Sequence, residues 1–91
     1  FKLHIIRECS FKLDGGAMFG VVPKTLWNKV SPADEENRIL MACNLLLIET
    51  PEGRVLIETG MGNRWTDKER QRYALSSLLE PENMLAACGL K

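Results

Sequence analysis

Ninety-one residues leave room for one small domain, and a chain of this length buries only about two-thirds of its unfolded surface, which argues against a large catalytic cavity built from this piece alone. Twelve basic residues balance twelve acidic ones without any basic run, so neither nucleic acid nor a membrane surface is an expected partner. Apolar content of 45% is that of a folded protein rather than a disordered one, and the longest apolar runs fall far short of a membrane span.

Phe1 to Leu13 alternates as a half-buried strand does. Phe1, Leu3 and Ile5 fall on one face, and after a phase change near Arg7-Glu8 the apolar set becomes Cys9, Phe11 and Leu13, which predicts a bulge or two strands. His4, the single histidine, reads as a strand residue at an edge or facing solvent, since no second histidine could share a metal with it. Asp14-Gly15-Gly16-Ala17-Met18-Phe19-Gly20 follows. Three glycines in this stretch predict a loop of unusual backbone angles carrying two large apolar groups, Met18 and Phe19. These either plug the core or wall a substrate pocket. A phosphate-binding loop is not expected, because Gly20-Val21-Val22-Pro23-Lys24 lacks the glycine-lysine-hydroxyl order it needs.

Pro23 biases Val22 away from helix, and Leu26 and Trp27 enter a short helical turn. Ser31 to Asn37, with acids at Asp34, Glu35 and Glu36, reads as a solvated connector. Residues 39–60 then form a β-hairpin around Thr50-Pro51-Glu52-Gly53. Proline presets one backbone angle of that turn and glycine takes a positive one. Leu45-Leu46-Leu47-Ile48 is apolar throughout, the pattern of a strand covered on both faces. Thr66 followed by Glu69 is a capping box opening a helix over about 67–79, and Pro81 opens a second over about 81–88. Gly89 and Leu90 supply its C-terminal cap. Strands followed by helices give an α/β class with α+β layers.

Cys9, Cys43 and Cys88 have no CxxC spacing and are odd in number, which predicts reduced, buried thiols in a cytoplasmic protein. No serine or cysteine stands beside a base in a nucleophile motif, and no ligand cluster for a metal is present. From residues alone the chain is a strand-rich half-domain without a complete active site.

The stretch Val55-Leu56-Ile57-Glu58-Thr59-Gly60-Met61-Gly62 after Glu52-Gly53-Arg54 resembles the start of metallo-β-lactamase-fold hydrolases. The glycine stretch Phe11 to Lys24, with Asp34 to Ile39, is similar to a subgroup related to N-acyl-homoserine lactonases. The resemblance implies that residues 1–91 are the N-terminal half of an αβ/βα sandwich, and that the full-length protein opens a lactone or ester with one or two zinc ions. It also implies that Met18, Phe19 and Trp27 line an acyl-chain pocket. Glu58, Thr59 and Gly60 would orient the metal-bearing loop by hydrogen bonds. The family carries Asp where Glu58 stands, and its His-x-His-x-Asp-His motif is absent, so the ligands are expected beyond Lys91 and this chain alone is expected to bind no metal. The alternative is a non-catalytic half-domain that serves interaction or dimerisation. In either case the open sheet predicts self-association or a complementary chain.

Overall fold

The computed structural model describes residues 1–90, a mixed α/β unit built on a three-stranded antiparallel sheet of order β1-β2-β3. β1 spans Lys2–Asp14, β2 Arg38–Thr50 and β3 Gly53–Ile57. β1 pairs with β2 through Ile6↔Leu45 and Arg7↔Asn44, then resumes at Cys9↔Cys43, leaving Glu8 unpaired in a bulge. The extra residue re-phases the strand. Ile6 before the bulge and Cys9 after it therefore face the same way, where even alternation would oppose them, and Glu8, two residues after Ile6, lies on that buried side as well.

The core is Ile6, Leu45 and Leu47, covered by Leu79, Met84, Leu85, Cys88 and Leu90 from the C-terminal segment. Only this face of the sheet is covered. Leu3 and Ile5, expected on a half-buried face, are 63% and 78% exposed, and Val55 and Ile57 share their side of the sheet. The apolar run of β2 is thus buried at Leu45 and Leu47 but only partly so at Leu46 and Ile48, in place of the two-sided burial its composition suggests.

The glycine stretch is not a loop. Gly15–Phe19 is a short helix, α1, capped by Asp14, whose carboxylate accepts from the Ala17 N–H at 2.8 Å and from the Asn37 amide at 3.1 Å. These bonds hold the Asp14 pKa below its ordinary value, the Ala17 backbone bond most of all. Lys24–Trp27 forms α2, and the Trp27 ring lies flat on Phe19, centroids 5.2 Å apart, over the bare Cα of Gly15.

The 34–38 connector is more than a solvated turn. Asp34 accepts from the backbone N–H of Arg38 and Glu36 at 2.8 and 2.9 Å, and pairs with the Arg38 guanidinium at 2.9 Å. Arg38 in turn donates to the Arg72 carbonyl at 2.9 Å, which ties the connector to the end of the third helix. The backbone bond from Arg38 leads the effects that hold the Asp34 carboxyl down to about 2, against an ordinary 3.8. A depressed carboxylate stabilises the fold above its unfolded pKa, and that contribution disappears as pH falls through the folded one. The melting temperature is therefore expected to decline as pH drops from 3.8 towards about 2. In D34N this portion of the decline should be missing from a pH series of thermal melts.

Asp67–Arg72 is α3, with the complete capping box of Thr66 and Glu69. Thr66→Ala should cost about 1 kcal/mol in chemical denaturation. The helix ends at Arg72 rather than near Leu79, because the free edge of β1 captures the chain beyond it. Lys12 N–H donates to the Tyr73 carbonyl, Ser10 and Ser76 exchange both backbone bonds at 2.9 Å, and Leu79 N–H donates to the Glu8 carbonyl at 2.6 Å. Ala74 and Ser77 take positive φ to make these turns. A 3-10 turn at Pro81–Asn83 leads into α4, Met84–Ala87. Gly89 at φ 75° ends it, with Leu90 N–H returning to the Leu85 carbonyl at 2.8 Å.

Candidate functional site

The backbone leaves β3 through four residues whose amide N–H groups all point to carboxylates. Glu58, in the left-handed region at φ 71°, turns its side chain back so that Oε1 accepts from Thr59 N–H at 3.0 Å and Gly60 N–H at 3.3 Å. The next two amides go to Glu8. Met61 N–H donates to its Oε1 at 2.5 Å and Gly62 N–H to its Oε2 at 3.0 Å. A positive φ on a residue with a Cβ stores strain of about 1–3 kcal/mol, a condition found where the surrounding structure dictates the conformation.

Glu8 is 1% exposed, and a buried carboxylate must be hydrogen-bonded to be tolerated. Its two amide partners supply that. Gly60 lies against it so closely that a Cβ there would fall 2.3 Å from Oε2. Beside it sit the thiols of Cys9, fully buried, and Cys43, directly opposite Cys9 in register. Loss of water around Cys9, followed by the neighbouring Glu8 charge, pushes its thiol up to about 11, and the same two causes in the same order raise Cys43. Both are held as inert thiols.

Past Gly62 the chain walls two cavities. Trp65 donates its indole N–H to the Gly62 carbonyl at 3.2 Å and meets Tyr73 edge to face, centroids 6.0 Å apart. On one side a cavity of about 360 Å3 is bounded by Met61, Asn63, Arg64 and Trp65. On the other, one of about 240 Å3 is bounded by Phe11, Leu13, Met61, Trp65 and Tyr73.

The donors here do not suit a zinc ion. Both Glu8 oxygens are taken by backbone amides, the two thiols beside it resist ionisation, and His4 is bonded to Glu49 at 2.8 Å. Among the described residues no three His, Cys, Asp or Glu side chains are grouped so that they could hold a metal ion.

Met18, Phe19 and Trp27 gather elsewhere, at the Asp14 end of β1, six residues beyond Glu8 and so about 20 Å along the strand. Met18 is half exposed, Phe19 is partly buried, and Trp27, at 3% exposure, is a packing residue beneath Phe19. The structure therefore brings Glu58, Thr59 and Gly60 together but leaves the apolar trio apart from them. Sequence reasoning missed Glu8. One signal was present, an acid at the point where the apolar alternation of β1 changes phase, two residues after Ile6 and beside Cys9.

No family model matches this chain, and no curated protein matches it. Among solved structures, the crystal structure of a probable metal-dependent hydrolase from Staphylococcus aureus superposes with a TM-score of 0.87 and 34% sequence identity, over 99% of this chain and 33% of that one. The chain thus has, almost residue for residue along its length, the fold of one part of a probable metal-dependent hydrolase, and spans about a third of the length of that protein.

Proposed function

We propose that these residues are the scaffold part of a metal-dependent hydrolase whose metal is held by residues outside them, and that the whole protein opens an ester or lactone with one or two zinc ions. A single observation carries this reading: 34% identity with a probable metal-dependent hydrolase, sustained across 99% of the chain at a TM-score of 0.87. The lactone or ester as substrate rests on the sequence resemblance of the glycine stretch and hairpin. In this reading Met18 borders the path of an acyl chain, with Phe19 and Trp27 stacked behind it, while Glu58, Thr59 and Gly60 fix the backbone from which the metal-bearing part is approached. The three free cysteines support a cytoplasmic setting. No described helix is long and apolar enough to cross a membrane.

The test is metal analysis of the full-length protein together with lactone and ester hydrolysis before and after chelation. About one to two zinc ions per chain, with hydrolysis lost on chelation and restored by zinc, is the expected result. A metal-free protein whose hydrolysis is absent and not restored by zinc would overturn the reading.

One observation favours the interaction-module alternative, the apolar sheet face on which Leu3, Ile5, Val55 and Ile57 stand exposed. The 91-residue chain is accordingly expected to sediment as a self-associated species at high concentration, and Ile5→Lys to shift it towards monomer. A wild-type chain that stays monomeric and melts cooperatively at high concentration counts against this use of the face.

A further inference from the structure

We propose that Glu8, rather than Glu58, is the positioning residue of the hairpin exit, setting the backbone path of residues 60–62 and through it the placement of Met61 and Trp65. Three segments meet on this one residue. Its main chain forms the bulge of β1, its carbonyl accepts from Leu79 N–H at 2.6 Å, and its carboxylate accepts from Met61 and Gly62. Glu58 lacks this reach. It is exposed, and the two amides it holds are those of the residues immediately after it.

The geometry admits little besides a glutamate at position 8. Two successive amides converge on the two oxygens of one carboxylate, an acceptor-only group matched to two donors. A glutamine offers one carbonyl oxygen and turns an NH2 group towards the second amide, donor against donor. An aspartate is one methylene too short to keep both bonds from the same backbone. Met61 is the lever on the far side. Its amide is held by Glu8, its sulfur lies 3.6 Å from Cys9 Sγ, and its side chain borders both cavities that flank Trp65. The Trp65 indole bonds the Gly62 carbonyl, so the ring is tied to the peptide that directly follows the two Glu8 holds.

The importance of this loop to catalysis rests on the hydrolase reading, whereas the positioning itself does not, so the experiment reads the loop directly. Amide hydrogen exchange of the 91-residue chain, followed residue by residue by NMR, is compared for wild type, E8Q, E8A and E58Q. In E8A the Met61 and Gly62 amides are expected to lose protection by about tenfold to a hundredfold, as for bonds to a charged acceptor, while amides of the β1–β2 ladder such as Leu45 and Leu47 keep theirs relative to global stability. In E8Q one of the two amides loses protection and the other retains it. E58Q leaves both unchanged. With Trp27 replaced by Phe as background, Trp65 emission should shift in E8Q and not in E58Q. Equal loss of protection across the whole sheet in E8Q would make Glu8 a contributor to general stability only and overturn the proposal. Unchanged exchange at Met61 and Gly62, or an effect of E58Q equal to that of E8Q, would overturn it too. Should E8A fail to fold, the contrast between E8Q and E58Q decides. A full-length protein that binds no metal and opens neither lactone nor ester, beside the expected exchange pattern in the 91-residue chain, would defeat the hydrolase reading and leave the positioning role standing.

Discussion

Gly60→Ala should destabilise the chain by about 3 kcal/mol, whereas the same change two residues on, Gly62→Ala, should cost only about 1 kcal/mol. Both glycines sit at positive φ, 86° and 78°, so both pay the backbone strain of an L-residue in the left-handed region. Their surroundings differ. A Cβ at position 62 meets nothing within 4 Å, but one at position 60 falls 2.3 Å from Glu8 Oε2 and 2.4 Å from its Cδ. That carboxylate is buried and bonded to two amides, so it cannot swing aside without leaving donors unsatisfied in the interior. Each such donor costs about 1–3 kcal/mol. Urea unfolding of the two variants measures the difference, and equal losses would refute the close packing of Gly60 on Glu8. Against the total stability of a small domain, about 5–15 kcal/mol, the larger loss is severe.

Gly15→Ala should destabilise the chain even though alanine is the better helix former by about 1 kcal/mol. Gly15 lies at the start of α1 and has no positive φ to excuse a glycine. Its reason is Trp27. A Cβ would fall 2.3, 2.7 and 2.9 Å from the Cη2, Cζ3 and Cζ2 atoms of the indole, which is also stacked on Phe19. Overpacking of this kind costs about 1–3 kcal/mol, enough to reverse the sign set by helix propensity. Trp27→Ala removes the ring altogether and should cost about 3–5 kcal/mol. In a double-mutant cycle the alanine at position 15 is expected to become neutral or stabilising once Trp27 is gone. If Gly15→Ala remained equally harmful in the Trp27→Ala background, the indole would not be the cause.

These two glycines show where local reading stops. In the sequence, three glycines between Asp14 and Gly20 look like a flexible loop, because glycine is the residue that unusual backbone angles require. Only Gly20 has such an angle. Gly15 leaves space for a ring twelve positions away in the chain, a requirement that no window of neighbouring residues contains. The third helix gives the same lesson in reverse. Its start was legible, since a capping box is a local pair of hydrogen bonds between Thr66 and Glu69. Its end was not, because Leu75, Leu78 and Leu79 continue an acceptable apolar stripe and the competing partner is the unpaired edge of β1.

At the hairpin exit, Glu58, Thr59 and Gly60 could be singled out by the residue pattern after a strand, but no local pattern joins them to the acid that holds the next two amides. Glu8 lies 53 residues before Met61. The apolar set Phe1, Leu3 and Ile5 suggests that Glu8 lies on the outer side of an edge strand, but the covered face is that of Ile6, which Glu8 shares by alternation, and the bulge adds Cys9 to it.

By itself the sequence determined the mixed α/β class, the hairpin and the re-phasing of β1, because each depends on alternation, turn chemistry or capping between residues near one another. Tertiary structure alone decided that one sheet face is covered and the other open, that Trp27 packs on Gly15, that β1 ends α3 by capturing the chain at Tyr73 and Ser76, and that Glu8 governs the Gly60–Gly62 turn. Those outcomes are set by which distant groups compete for the same unpaired amide or the same few cubic ångströms, and such competition exists only once the strands have met.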